Sequence, residues 1–136
     1  GKFTLPENID RDIYLICTGT GIAPFRSMVH HILNNKITHH NIHLIFGCRK
    51  KSDILYYEEL VDLSHKIDHF HYQPTLSREE WEGKKGYVHE VYEALVKNKP
   101  PAYFFLCGWK NMITEARHRL AALGYDKKDI HFELYG

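Results

Sequence analysis

Ile13-Tyr14-Leu15-Ile16-Cys17-Thr18-Gly19-Thr20-Gly21-Ile22-Ala23-Pro24 is the stretch on which the fold turns. Its first five residues are an unbroken apolar run, as expected of a strand covered on both faces. A glycine-rich turn follows at once. Pro24 suits the first turn of a helix, where its missing N–H costs nothing. That helix is expected to run to about Asn35. A buried strand feeding through glycines into a helix is the opening unit of a parallel sheet.

The same rhythm continues to the end of the chain. Ile42–Phe46 reads as a second strand, and Ser52 or Asp53 can cap a helix with Leu55, Leu60, Val61 and Leu63 on its apolar side. A third strand is predicted over 68–73, followed by a polar loop over 74–86. The next helix, over 87–97, sets Val88, Val91, Tyr92 and Leu95 at core-facing spacing. Ala102–Leu106 is a fourth strand, a helix over 111–123 stops at Gly124, and Ile130–Leu134 is a fifth. Strands alternating with helices of this length pair in parallel through right-handed crossovers. The expected class is therefore α/β: a doubly wound, three-layer fold on a five-stranded parallel sheet.

Composition narrows the partners. The chain has 136 residues, with 18 Lys and Arg against 17 Asp and Glu and a net charge of +1. That length suits one core, and near-neutrality removes the electrostatic case for nucleic acid. The apolar runs are about five residues long, far below a membrane span, so neither a membrane span nor a secretion leader is expected. Cys17, Cys48 and Cys107 form no CxxC pair, so reduced thiols and a cytoplasmic setting are expected. Eleven histidines invite a metal reading. His39, His40 and His43 cluster at a loop-to-strand junction, and His69 and His71 are expected to share a strand face. No Cys or carboxylate spacing completes a ligand set, so packed or solvated histidines are expected and no metal is assigned.

In doubly wound sheets, ligands lie outside the carboxyl ends of the strands, near the point where strand order reverses. Thr18–Gly21, Gly47–Arg49, Thr75–Arg78, Cys107-Gly108 and Glu133–Gly136 all fall at such ends and can converge on one crevice. Glycines there let backbone approach a phosphate, and a helix N-terminus favours the anion; a ligand-free turn would look similar. Pro24 interrupts G-x-G-x-x-G, and no acidic residue stands about twenty positions on. Arg49, Lys50, Lys51, Arg78, Lys84 and Lys85 lie in the loops after strands two and three, diluted by Glu79, Glu80 and Glu82. A strand-end cysteine such as Cys107 is, by chemistry alone, more often packing than reactive.

Thr18-Gly19-Thr20-Gly21-Ile22-Ala23-Pro24-Phe25-Arg26-Ser27 closely resembles the turn that opens the pyridine-nucleotide lobe of ferredoxin–NADP reductases and their diflavin relatives. Four further motifs follow in order. Phe46-Gly47-Cys48-Arg49 with Asp53–Leu60 resembles the second-strand signature. Ser77-Arg78-Glu79, then Lys85-Gly86-Tyr87-Val88, resembles the segment for the adenosine 2′-phosphate. Cys107-Gly108 followed by Met112 resembles the element beside the nicotinamide, and Glu133-Leu134-Tyr135 the C-terminal Glu-x-Tyr.

The resemblance implies the lobe of an enzyme that passes a hydride from NAD(P)H to FAD and on to an electron carrier such as ferredoxin or flavodoxin. It implies NADP or NAD bound by Thr18, Gly19, Thr20, Gly21, Pro24, Arg49, Ser77, Arg78, Lys85, Tyr87, Gly108 and Met112. Tyr87 would lie on the adenine. Cys107 would pack against the nicotinamide, Glu133 would orient it and relay protons, and Tyr135 would cover the flavin. Gly136 after that aromatic is a slight departure. NADPH is favoured, although Trp81-Glu82-Gly83 resembles NADH-using relatives, some of them reductase components of oxygenases. A nucleotide-sensing module without turnover is the reading from another class. Gly1–Pro6 resembles the last stretch of the flavin-binding barrel. The chain is thus expected to be the C-terminal half of a longer flavoprotein, with 1–8 the tail of that barrel and 9–136 the NAD(P)-binding domain. FAD would be held mainly by the preceding lobe of the same polypeptide.

Overall fold

In the computed structural model, which describes residues 3–134, the strands align in parallel into one sheet. They are β1 (Asp12–Thr18), β2 (Ile42–Cys48), β3 (Phe70–Leu76), β4 (Lys84–Lys85), β5 (Ala102–Gly108) and β6 (Ile130–Leu134). The order is β4-β3-β2-β1-β5-β6. The chain therefore winds outward from β1 to one edge, returns, and winds outward to the other from β5. The reversal lies between β1 and β5, whose registers run from Asp12 opposite Ala102 to Cys17 opposite Cys107.

Four helices cover the two faces: α1 (Ile22–Asn34), α2 (Tyr57–Lys66), α3 (Val88–Leu95) and α4 (Lys110–Ala122). Alternation along the strands sorts the core. Ile13, Leu15, Cys17, Phe105 and Cys107 face one way and pack with Phe25, Val29 and Ile32 of α1 and Leu60 and Leu63 of α2. Tyr14, Ile16, Phe104 and Leu106 face the other way, against Val91 and Tyr92 of α3 and Met112, Ile113 and Leu120 of α4. Phe3 belongs to the first layer, its ring 5.3 Å from Phe25 and edge-on to Phe105 at 5.6 Å.

The expected layers, helix count and strand succession hold, with four corrections. First, the sheet has six strands: Lys84 and Lys85 pair with Thr75 and Leu76 as β4. Two exposed lysines carry no apolar signal. Second, β3 runs through Pro74 to Leu76, past the predicted end at Gln73. Ser77 N–H donates to Cys48 O on the β2 side, whereas Leu76 O accepts from Gly86 N–H on the outer side. The even-numbered residues thus turn outward, and Pro74 lacks an N–H only where β2 needs none. Third, Asp53 caps a 3-10 turn (Lys51–Asp53) by accepting from Lys50 N–H at 3.2 Å, and α2 starts four residues later. Fourth, His69 precedes β3 with φ +64°, so it does not share a strand face with His71. The stop at Gly124 is as expected: Tyr125 N–H donates to Leu120 O and Gly124 N–H to Ala121 O, the paired bonds of a glycine-terminated helix.

Candidate functional site

The reversal point is closed by backbone-to-backbone contact. Gly21, in the 3-10 turn Gly19–Gly21 that leads into α1, lies directly against the end of β5. A Cβ there would stand 2.6 Å from the Cys107 carbonyl carbon and 2.8 Å from Gly108 Cα, inside any allowed contact. Gly108 has φ +138°, and a Cβ on it would meet the Thr18 backbone at 2.7 Å. Thr18 Oγ1 accepts from Trp109 N–H at 2.9 Å and ties the two loops together. Only glycine fits at both positions, and this brings the N-terminus of α1 to the rim of the sheet. No acidic side chain occupies the first turn of that helix, so its positive end is open to an anion.

Beside this seam lies a cleft of about 640 Å³. Thr18, Gly47, Cys48 and Arg49 line it from the ends of β1 and β2, and Ser77 and Arg78 from the end of β3. Gly86, Tyr87, Val88, His89 and Glu90 line it from the start of α3. Trp109, Asn111, Met112, Glu115 and Arg119 complete it from α4 and the loop before it. Tyr87 is 64% exposed and Trp109 43%, so two aromatic faces stand open at one opening. The Arg49 guanidinium lies 5.6 Å from the Trp109 ring centre. Arg78 is exposed, and its backbone N–H donates to Arg49 O at 3.0 Å, which holds the two arginine-bearing loops side by side.

Of the residues singled out in the sequence, Thr18, Arg49, Ser77, Arg78, Tyr87 and Met112 share this cleft. Gly21 and Gly108 form the seam. Gly19 lies under the Trp109 indole, and Thr20 and Pro24 sit on the turn and first turn of α1 without lining the cleft. Lys85 is outside the lining; its Nζ is 3.0 Å from Glu80 Oε1 on the exposed rim. Cys107 is fully buried on the α1 side of the sheet, and Glu133 is its register partner on β6. This pair lies at the strand ends but not in the cleft lining. Tyr135 and Gly136 fall outside the described residues.

His89, Glu90, Trp109, Asn111, Glu115 and Arg119 line the cleft but escaped the sequence reading. Trp109 follows a motif whose spacing drew attention to Cys107 and Met112 only. His89 reaches the cleft from the first turn of α3, away from the strand ends at which ligands gather in such sheets. Its side chain is nine-tenths buried, and burial lowers its pKa, opposed by nearby Glu115. Near the cleft, the Trp81 segment is pinned to the rim: Trp81 Nε1–H donates to Lys84 O at 2.6 Å and Lys51 Nζ donates to Glu82 at 2.6 Å. A smaller hollow of about 250 Å³ lies behind it, beside Tyr57 and Tyr72. Among the described residues, no group of three or more His, Cys, Asp or Glu could hold a metal ion, and no helix is long and apolar enough to cross a membrane.

An open parallel sheet, a glycine-limited reversal point and a cleft at the strand carboxyl ends define a nucleotide-binding α/β domain. The chain belongs to the oxidoreductase NAD-binding domain family, whose model matches residues 15–118. Ferredoxin–NADP reductase B of Sorangium cellulosum is 33% identical over 99% of the chain, which covers 59% of that protein. NADH-cytochrome b5 reductase 1 of Meyerozyma guilliermondii is 35% identical over 93% of the chain, which covers 46% of it. The chain thus spans about half the length of the curated relatives it matches. In structure, the FAD/NAD-binding domain of nitric oxide dioxygenase from Vibrio cholerae matches all of the chain and 55% of that domain, with TM-score 0.85 at 23% identity. That likeness is one of fold.

Proposed function

We propose that this chain is the NAD(P)H-binding lobe of an FAD-dependent reductase, with NADPH the favoured coenzyme. In this reading bound nicotinamide and flavin would supply hydride transfer and the onward passage of electrons to a carrier such as ferredoxin or flavodoxin. That chemistry belongs to the two cofactors. The residues of this chain bind, orient and exclude water. The observation that carries the reading is the juxtaposition of the Gly21–Gly108 seam with a cleft bearing Arg49, Ser77, Arg78 and Tyr87. The open N-terminus of α1 beside the seam would favour a diphosphate, and the cleft of about 640 Å³ would take an adenosine with its 2′-phosphate. Thr18, Gly19, Thr20, Gly21 and Pro24 would hold the diphosphate end. Ser77 and Arg78 would take the 2′-phosphate, with Lys85 a remote charge and Tyr87 a ring for the base. Gly108 and Met112 would frame the path to the nicotinamide.

Cys107 and Glu133, adjacent across β5 and β6, would set the nicotinamide against the flavin, with Tyr135 over the flavin ring. The flavin would rest mainly on a preceding lobe, residues 1–8 leading into residues 9–136. An NADH-preferring oxygenase component is the second reading, favoured by Trp81-Glu82-Gly83 and by the Lys85–Glu80 pairing, which draws one cation away. The test uses the product of the complete reading frame. It should purify with bound flavin and oxidise NADPH with an artificial acceptor. Glu133→Ala should lower kcat far more than it raises KM. A colourless product, or one that binds NADPH without oxidising it, would favour a sensing module instead.

A further inference from the structure

The two edges of the sheet are finished differently. At one edge, β4 is Lys84 and Lys85, both exposed, and lysines of this kind blunt an edge against further pairing. At the other edge, β6 is Ile130-His131-Phe132-Glu133-Leu134, with no lysine, proline or glycine. Among the described residues β5 is its only strand neighbour. Phe132 is 40% exposed and Leu134 55%. Side chains alternate along a strand, so Ile130, Phe132 and Leu134 share the side on which Ile130 packs with the α3–α4 layer. His131 and Glu133 share the other side, where the His131 ring stacks on Phe105 at 4.9 Å.

An open edge offers backbone N–H and C=O groups to another strand, and the residues of β6 complement a second copy of β6. In an antiparallel pair with its two-fold axis at Phe132, the two Phe132 rings face each other. Ile130 of each copy then faces Leu134 of the other, and His131 of each faces Glu133 of the other. One side of the ladder is wholly apolar with an aromatic pair at its centre. The other side carries two pairs in which an imidazole N–H can donate to a carboxylate. A carboxylate accepts several hydrogen bonds, so this one adds to those Glu133 makes within its own chain. Moving the axis to His131 would set Asp129 against Glu133, two like charges directly opposite.

We infer that β6 is the pairing edge of a two-fold dimer, in which two copies of this chain join their sheets antiparallel about Phe132. The inference stands apart from the nucleotide reading. The association is weak, because a strand pair of five residues falls short of the roughly 1,200 Å² that stable interfaces bury. Arg117, whose guanidinium lies 4.0 Å from the Phe132 ring centre, also approaches its symmetry mate across the axis. A dissociation constant on the order of 0.1 mM is expected.

The test is sedimentation equilibrium of the chain over concentrations bracketing about 0.1 mM. Monomer should give way to dimer and to nothing larger. Phe132→Lys, which sets two ammonium groups at the axis, should weaken the dimer roughly tenfold, with circular dichroism unchanged. His131→Glu should weaken it by opposing carboxylates, and Glu133→Lys by removing the acceptor. Mixed in equal amounts, these two variants should associate more tightly than either alone. In the mixed dimer, carboxylate faces ammonium at one end and the native pair stands at the other, a recovery that general destabilisation could not produce. A chain that stays single, a dimer indifferent to Phe132→Lys, growth to larger species, or a mixture no tighter than its components would each overturn the inference. Where Glu133→Lys does not fold, amide exchange of the wild type decides. Protection of β6 that rises with concentration supports the pairing, and unchanged protection overturns it.

Discussion

The seam between β1 and β5 and the rim beyond β3 sit at the same end of the sheet but are built on opposite terms. At the seam, Gly21 and Gly108 lie against opposing backbone with no room for a Cβ, and Thr18 and Trp109 lock the loops together. On the rim, Lys85 of the two-residue β4 pairs with Glu80, and Lys51 of the 3-10 turn after β2 pairs with Glu82, both pairs exposed. On the proposed reading, the seam is a fixed frame for any dinucleotide, and Arg78, where the rim meets the cleft, would favour one dinucleotide over another. Family membership should therefore rest on the seam and coenzyme choice on the rim.

The largest expected effect breaks the seam. Gly21→Ala drives a methyl into the Cys107 carbonyl, and since both sides are backbone neither can yield cheaply. About 3 kcal/mol of stability should be lost, at the upper end of overpacking, read as a lower urea midpoint at unchanged slope. A midpoint equal to wild type would mean the seam is looser than its geometry.

Next comes Arg78, which sharpens the rim's role. A charge-assisted hydrogen bond to a 2′-phosphate contributes roughly 1.5–3 kcal/mol, so its loss should weaken NADPH relative to NADH by roughly 10- to 100-fold. Arg78→Glu should exceed this by adding repulsion, while NADH still binds. The ratio of kcat/KM for the two coenzymes at fixed ionic strength reads it. An unmoved ratio in an enzyme already preferring NADH would make the Trp81–Gly83 segment the better guide.

The opposite end of the sheet offers a control away from the site. His43 is stacked between Tyr14 at 4.7 Å and His71 at 4.8 Å, and its buried Nδ1 has no hydrogen-bond partner among the described residues. Burial, then the nearby His71, lowers its pKa from 6.5 to about 4. Between those values the unfolded chain binds more protons than the native one, so stability rises with pH through this window and levels off above it. Thermal midpoints should fall from pH 7 to pH 4, and His43→Phe should flatten that fall. An equally steep fall in the variant would assign it to other groups.

The smallest effect belongs to Lys85→Ala. Its partner is Glu80 on the exposed rim, and such pairs contribute little. The urea midpoint should not move, and the coenzyme ratio should shift far less than with Arg78→Glu. A shift as large as that of Arg78→Glu would require the rim to close over the ligand.

The order of strands and helices was legible because each carries its apolar period in a few residues: Ile13–Cys17 and Ala102–Leu106 for buried strands, Val88, Val91 and Tyr92 for a helix face. What escaped lacked that signal. β4 is two exposed lysines with no apolar period, and Pro74 looks like a strand terminator unless its nitrogen is known to face away from β2. In the site, Thr18, Arg49, Ser77, Arg78, Tyr87 and Met112 were legible from motif order and from the rule that ligands gather at strand ends. His89 was not, because that rule was applied to strands and not to the first turns of the helices that follow them. Lys85 carries the right charge for the cleft, but its side chain pairs on the rim.

The central claim, that a pyridine nucleotide occupies the cleft beside the Gly21–Gly108 seam, is tested most directly by amide chemical-shift mapping of the chain during titration with 2′-phospho-ADP-ribose. The largest shifts should fall on Thr18–Gly21, Arg49, Ser77, Arg78, Tyr87 and His89, with the N-terminal ends of β2 and β3 silent. Shifts confined to the hollow around Tyr57 and Trp81, or no shifts at millimolar ligand in a folded chain, would contradict it.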